Sequence, residues 1–379
     1  MNRRERLMAT LQGCPVDRPA VNFYEIGGFN ADPNDPDDFN IYNDPSWKPL
    51  LDMAENETDL IRMRSPNTTP SKASRYDEFF STKTWIEGKS RFSRTTVKAG
   101  KRILTSTSRR DAELDTTWQV EHLIKDIDDL KAYLEIPQCI HDHEYDVSNL
   151  FEDEKKLGDK GIVMVDTGDP ICSAASLFDM ETYTVIAFTE QKLFRKLLDS
   201  LAPAHMARTE KIAKDFPGRL WRICGSEYAS EPYLSPDLYR EYVVKYTGPM
   251  VKTIRKYGGY PRIHSHGRLK NILPLIIEMG PVGLDPVEPP PQGDVELDWI
   301  VSEYGKDLVI FGNLEITDIE NVEPAKFAKV VEKSLRDGTG PNSKGFVLMP
   351  SSCPYGRKIP ETTLANYRTM VEQAVNFRR

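Results

Sequence analysis

From residue 158 onward, short apolar runs rich in β-branched residues alternate with longer amphipathic stretches. That rhythm constrains the fold more than any other feature. The runs are GIVMVDTG (161–168), RLWRICG (219–225), PRIHSHG (261–267), VGLDPVEP (282–289), LVIFGNL (308–314) and GFVLMPSSC (345–353). VNFYEI (21–26) and LIRMRS (60–65) bring the candidate strands to eight. The stretches between them read as helices. Ser235 and Pro236 open one that runs to about Lys256 and ends at Gly258 and Gly259. Arg268 to Met279 forms another, closing at Gly280, and Asp294 caps a third that ends at Gly305. Pro360 begins the last. Strands alternating with helices give a parallel sheet covered by helices. Strands this uniformly apolar suit burial on both faces. Eight such units close into a (β/α)8 barrel. An open doubly wound nucleotide fold would carry a Gly-x-Gly-x-x-Gly turn after a strand, and none occurs.

Two features decorate the barrel, which is read as one α/β domain over residues 1–379. Residues 2–12 form an N-terminal helix: Asn2 caps it, Glu5 completes a capping box, Leu7, Met8 and Leu11 line one face, and Gly13 stops it. A β-hairpin insertion lies at about 85–115, where RFSRTTVKAGKRILTSTSRR gives two Thr- and Val-rich strands around a Lys98-Ala99-Gly100-Lys101 turn. The acidic, Pro-rich stretch from Asp32 to Asn40 is a surface loop.

Charge and cysteine usage exclude several classes. Lys plus Arg total 50 against 58 Asp plus Glu, a net charge of -8, which disfavours a nucleic-acid binder. No apolar run approaches the roughly 20 residues of a membrane-spanning helix, and MNRRERLMATLQG lacks the pattern of a secretory signal. The five cysteines are scattered without a Cys-x-x-Cys pair, so the expected home is the reducing cytoplasm.

In a (β/α)8 barrel, chemistry sits at the C-terminal ends of the strands. There this sequence places Glu25, Asp166, Asp169, Glu227, His264, His266, Glu288, Asn313, Glu315 and Cys353. On a strand, residues i and i+2 share a face, so His264 and His266 can enter one cavity. With Cys353 three strands on, they make an imidazole–thiolate set that suits Zn²⁺ with an open fourth position. Glu227 and Asp166 are the catalytic candidates, and Glu25, Glu288 and Asn313 the substrate-facing ones. The plainer alternative is that a His-x-His pair and a free cysteine are structural. Cys14, Cys139, Cys172 and Cys224 are read as structural, and His141-Asp142-His143 as part of a polar surface loop.

Four stretches together resemble the uroporphyrinogen decarboxylase superfamily. They are MNRRERLMATLQGCPVDRPAV, GSEYASEPYLSPDLYREYV, HSHGRLKNILPLIIEMGPVGLDPVEPP with YGKDLVIFGNLE, and CPYGRKIPETTLANY. The resemblance spans nearly the whole chain and implies the same barrel. True uroporphyrinogen decarboxylases hold their tetrapyrrole with an Arg-rich motif after the first strand. Here that region, FYEIGGFNADPNDPDD, has no Arg and is acidic, which disfavours a polycarboxylate substrate. The corrinoid (cobalamin-dependent) methyltransferase branch carries zinc on a His-x-Cys pair and a distant Cys. His264 and Cys353 match that pattern, and His266 replaces the first Cys. TTWQVEHLIKDIDDLKAYLEIP (116–137) is similar to the same branch. The resemblance thus implies a zinc-dependent methyltransferase acting on a small O-methylated substrate, such as a methoxy-aromatic. No Asp-x-His-x-x-Gly motif occurs, so the cobalamin would be carried by a partner corrinoid protein. The branch also makes a homodimer plausible. Two imidazoles and one thiolate leave zinc at charge +1 rather than neutral, which favours polarising an ether oxygen. The basic residues of the hairpin, from Arg91 to Arg110, are a candidate dock for an acidic partner. The alternatives are a metal-independent decarboxylase and a non-enzymatic corrinoid- or tetrapyrrole-binding protein.

Overall fold

The computed structural model describes residues 1–378. One all-parallel sheet contains β1 (Ala20–Val21), β2 (Leu60–Arg64), β3 (Gly161–Gly168), β4 (Leu220–Cys224), β5 (Tyr260–Ser265), β6 (Gly283–Pro286), β7 (Val309–Leu314) and β8 (Phe346–Pro350). Their order is β1-β8-β7-β6-β5-β4-β3-β2, so every strand from β2 to β8 lies beside its sequence neighbour. Asp59 closes the ring between β1 and β2. Its N–H donates to the Val21 carbonyl (2.7 Å), and its carboxylate accepts from the Val21 N–H (2.9 Å). Arg6 and Arg18 hold that carboxylate from outside, at 2.6 and 2.8 Å. The result is the expected (β/α)8 barrel.

Alternation along the strands sorts the side chains. Ile61, Met63, Ile162, Met164, Leu220, Phe311, Val347 and Met349 pack together inside the barrel. Their neighbours Trp221, Ile223, Ile310 and Leu348 face the helices. The first helix, Arg3–Gln12, has the expected capping box, and Gly13 ends it at φ 70°. Leu7 and Leu11 of this helix join the inner cluster, so the helix stoppers the barrel at the end away from the strands' C-termini.

Several expected boundaries shift. The first strand is two residues long rather than six, because the backbone turns at Tyr24, which takes φ 58°. The helix expected from Arg268 forms only over Leu273–Met279. Asp294 does not cap the following helix, Leu297–Tyr304. Its carboxylate instead accepts from the N–H groups of Leu269 and Lys270 and ties down the loop after β5.

The hairpin insertion is a four-stranded antiparallel sheet: Phe80–Glu87, Ser90–Ala99, Arg102–Asp111 and Thr117–Glu121. The two central strands and their turn stand where expected, with Ala99 paired to Arg102. The outer strands were not expected: Phe80–Glu87 sets Trp85 and Ile86 side by side, which breaks a period of two, and Thr117–Glu121, which does alternate Trp118 and Val120 with polar residues, is only five residues long. Val97, Ala99 and Leu104 bury one side against the main core, while Ile86, Ile103 and Val120 are exposed. The arginines are matched locally, whereas Lys98 and Lys101 at the turn are exposed. Arg91 pairs with Asp37, Arg94 with Glu121, Arg102 with Asp126 and Asp129, Arg109 with Asp111, and Arg110 with Asp115. A second small pair joins Asn67–Pro70 to His143–Asp146. Among the described residues no helix is long and apolar enough to cross a membrane.

Candidate active site

Above the apolar filling, the barrel interior carries a charged layer that strand register assembles. Asp166 on β3 lies opposite Arg222 on β4, and Arg222 opposite Arg262 on β5. Arg222 Nε donates to Asp166 Oδ1 (2.7 Å), and its guanidinium also reaches the Tyr24 hydroxyl. Arg262 is fully buried, with Nε 2.8 Å from Asp285 Oδ1 and its guanidinium over the Phe311 ring. Two arginines thus face two aspartates, and the layer is neutral overall. Burying such groups unpaired would be prohibitive, so each depends on its partner.

This layer is the floor under His264 and His266. His264 is buried at the end of β5, and its Nδ1 lies 2.8 Å from Asp285 Oδ2. His266, just past the strand, is 37% exposed, with Nδ1 2.6 Å from Glu288 Oε1. The other oxygen of Glu288 accepts from the Gly267 N–H at 2.7 Å. The two imidazoles meet edge to face, with centroids 4.6 Å apart. Burial pulls the His266 pKa down, but the hydrogen bond and charge of Glu288 outweigh it, and the ring titrates above its ordinary value. Burial likewise raises Asp285 and Glu288. Arg262 and His264 overcome it for Asp285, and His266 for Glu288, and both carboxyls stay below their ordinary values. Glu288, expected to meet substrate, therefore orients His266. Among the described residues, the non-glycine residues with positive φ are Tyr24 (58°) and Val287 (55°), and both border this site. A left-handed β-branched residue such as Val287 is a costly outlier, of the kind that clusters at functional sites. Here it sets the backbone immediately before Glu288.

Cys353 is buried after β8, and its thiol donates to Glu25 Oε2 at 2.7 Å. Burial, then the charge and hydrogen bond of Glu25, push that thiol well above its ordinary pKa. Among the described residues, no three His, Cys, Asp or Glu side chains converge as a metal cluster. His264 and His266 nonetheless fit a borderline-soft metal. Each has Nδ1 engaged by a carboxylate, the arrangement that leaves Nε2 as the ligating atom. Cys353 stands with Glu25 instead, so the expected triad is present as a pair and a separate thiol.

The remaining candidates are placed as follows. Asp166 is engaged with Arg222 and belongs to the floor. Glu227, on a short 3-10 turn after β4, accepts from the Gly225 N–H (3.0 Å), and its charge is felt at His266. Asn313 does not meet the site: its Oδ1 accepts from Ser334 on the outer helix Pro324–Gly338 (2.8 Å), which satisfies the amide away from the mouth. The carboxyl just after that strand is Glu315, 5% exposed, with Oε1 lacking a partner. Burial, then the nearby charge of Glu288, pushes it up to about 7. Tyr24 went unread in the sequence because it sat inside an apparent strand. Its ring stacks toward His264 at 6.1 Å, and its hydroxyl lies 3.4 Å from Nδ1.

The uroporphyrinogen decarboxylase (URO-D) family model matches residues 117–377. Among solved structures, a methyltransferase from Methanosarcina mazei superposes with a TM-score of 0.59 at 15% identity, covering 100% of this chain and 99% of that one. The IOLI protein with a binding zinc atom aligns at a TM-score of 0.33 and 11% identity, over 61% of this chain and 92% of that one. No curated protein matches the sequence. With the family model spanning most of the sequence, from the inserted sheet through the last helix, the chain belongs to the uroporphyrinogen decarboxylase family.

Proposed function

We propose that this protein is a zinc-dependent methyltransferase. It would move a methyl group from a small O-methylated compound to the Co(I) corrinoid of a partner protein. The observation that carries the reading is the His264–His266 pair: two imidazoles 4.6 Å apart at the barrel mouth, each with Nδ1 on a carboxylate. The likeness in fold to a methyltransferase over the full chain supports it.

His264, His266 and Cys353 would hold the zinc, with Cys353 releasing Glu25 to do so. The ion would polarise the ether oxygen as a Lewis acid. Asp285 and Glu288 fix the two rings, and the Arg222–Asp166 and Arg262–Asp285 pairs fix the floor beneath them. The corrinoid would supply the nucleophile that takes the methyl group, and the oxygen left behind would need a proton. Glu315, pushed up to about 7, carries one near neutral pH and lies close enough to Glu288 and His266 to feel their charge. Glu227 borders the same space from β4. The arginines of the inserted sheet are paired at home, which leaves Lys98 and Lys101 as its exposed cations for an acidic partner.

The family itself favours a second reading, decarboxylation. Two observations weigh against a polycarboxylate substrate. The loop after β1 is acidic. Arg62 and Arg64 beside it are engaged by Glu55, Asp153 and the Gly27 and Gly28 carbonyls.

The test is zinc content by elemental analysis of protein purified without a metal-binding tag, alongside His264→Ala and Cys353→Ala. The expected result is about one zinc per chain, lost in both variants. Folded wild type that stays zinc-free after zinc is supplied would contradict the reading.

A further inference from the structure

Cys172 and Cys224 share no sequence motif, yet the barrel brings them together. Cys224 ends β4, in register with Gly168 of β3. Cys172 lies in the first turn of the helix Pro170–Ala175 that follows β3. The Asp169 N–H donates to the Cys224 carbonyl (3.0 Å), and the Cys172 N–H donates to the Asp169 carboxylate (2.9 Å). Gly225 makes the close approach possible. At φ 126°, a side chain there would stand 2.4 Å from Cys172 Cβ and 2.3 Å from Asp169 Oδ1. The Cys224 thiol donates to the Thr167 carbonyl (3.5 Å), the Cys172 thiol is close enough to Cys224 to feel its charge, and both residues are partly exposed. Their backbones are thus cross-braced next to one another.

We propose that Cys172 and Cys224 are a redox-active dithiol that closes to an intramolecular disulfide when the protein meets a hydroperoxide. This goes beyond the methyl-transfer reading and does not depend on it. Cys224 is the sulfur that reacts first. The nearness of Cys224, together with burial, pushes the Cys172 thiol up, which makes it the resolving partner. The Cys224 thiolate attacks the peroxide, the O–O bond breaks, and a sulfenic acid and an alcohol form. Cys172 then condenses with the sulfenic acid, the S–S bond forms, and water leaves. Overall, two thiols and one hydroperoxide give one disulfide, one alcohol and one water. The bond would tie the helix after β3 to the end of β4. The next residues there, Gly225 to Glu227, place Glu227 beside His266. Oxidation would therefore stiffen one wall of the mouth.

The experiment uses the full chain carrying Cys14→Ser, which removes the one exposed thiol. The protein is treated with a small excess of hydrogen peroxide, its free thiols are titrated, and its peptides are mapped by mass spectrometry without reduction. The expected result is loss of two thiols per chain, a cross-linked peptide joining residues 172 and 224, no covalent dimer, and full reversal by dithiothreitol. Cys172→Ser and Cys224→Ser, added singly, should each abolish the cross-link. The proposal is overturned if both thiols survive, if they oxidise separately to sulfinic acids, or if either pairs with Cys139.

Discussion

Asp169 is a buried acid whose cost to the fold can be measured. Its side chain is fully enclosed, accepting from the Cys172 N–H at 2.9 Å and from the Thr247 hydroxyl at 2.8 Å. Burial dominates these two hydrogen bonds, and the charge of Glu227 adds to it, so the carboxyl is pushed up to about 7 from an ordinary 3.8. An acid raised in the folded state binds its proton more tightly there than in the unfolded chain. Its contribution is therefore intact below about pH 4 and is lost as pH rises toward 7. At about 1.36 kcal/mol per pKa unit, the full loss is about 4 kcal/mol. Between pH 5 and 8 the part lost is about 2.5 kcal/mol. Asp169→Asn removes the titration but keeps an acceptor for the Cys172 N–H. Its amide can donate to the Thr247 hydroxyl, which rotates to accept. Urea unfolding of both proteins at pH 5, 6, 7 and 8 reads the effect directly. The stability of the variant minus that of wild type should climb by about 2.5 kcal/mol across that range. A difference that stays flat, or that falls with pH, would refute the reasoning, because it would mean Asp169 is ionised in the fold throughout.

Other expectations follow from the charged layer and the ring closure. Arg262→Met leaves Asp285 without its buried cation and should cost about 3–5 kcal/mol in chemical denaturation. Adding Asp285→Asn should cost less than the sum of the two single changes, because the uncompensated charge is gone. Asp59→Asn leaves Arg6 and Arg18 short of a partner at the β1–β2 seam and should also lose about 3–5 kcal/mol. In a methyl-transfer assay, wild-type kcat/KM should fall as pH rises above about 7, where Glu315 loses its proton. Glu315→Gln should have lower activity and no such limb.

The barrel was legible because its strands are apolar on both faces and its helices are bounded by Gly and Pro. His264 and His266 were legible because a strand's period of two forces them onto one side. What patterning could not reveal was partnership. Asp166 looked like a free acid until β4 placed Arg222 across from it. Asn313 and Glu315 both end β7, and only the position of Ser334 shows that the amide turns away while the carboxyl faces the site. Cys172 and Cys224, read as structural, meet because Gly225 lets a helix start crowd a strand end. Tyr24 was hidden because a left-handed residue inside an apolar run leaves no compositional mark. The outer strands of the inserted sheet went unread because adjacent Trp85 and Ile86 break the period of two in one, and the other is only five residues long.

The central claim is methyl transfer at the His264–His266 mouth. Anaerobic incubation with cob(I)alamin and a panel of O-methylated donors, followed by absorbance, tests it most directly. Methylcobalamin should form with at least one donor in the presence of wild type, and His264→Ala should slow it by at least the roughly 10–100-fold that losing a metal ligand's supporting partner costs. Zinc-loaded, folded wild type that forms no methylcobalamin from any donor, but releases carbon dioxide from a carboxylated substrate, would contradict it.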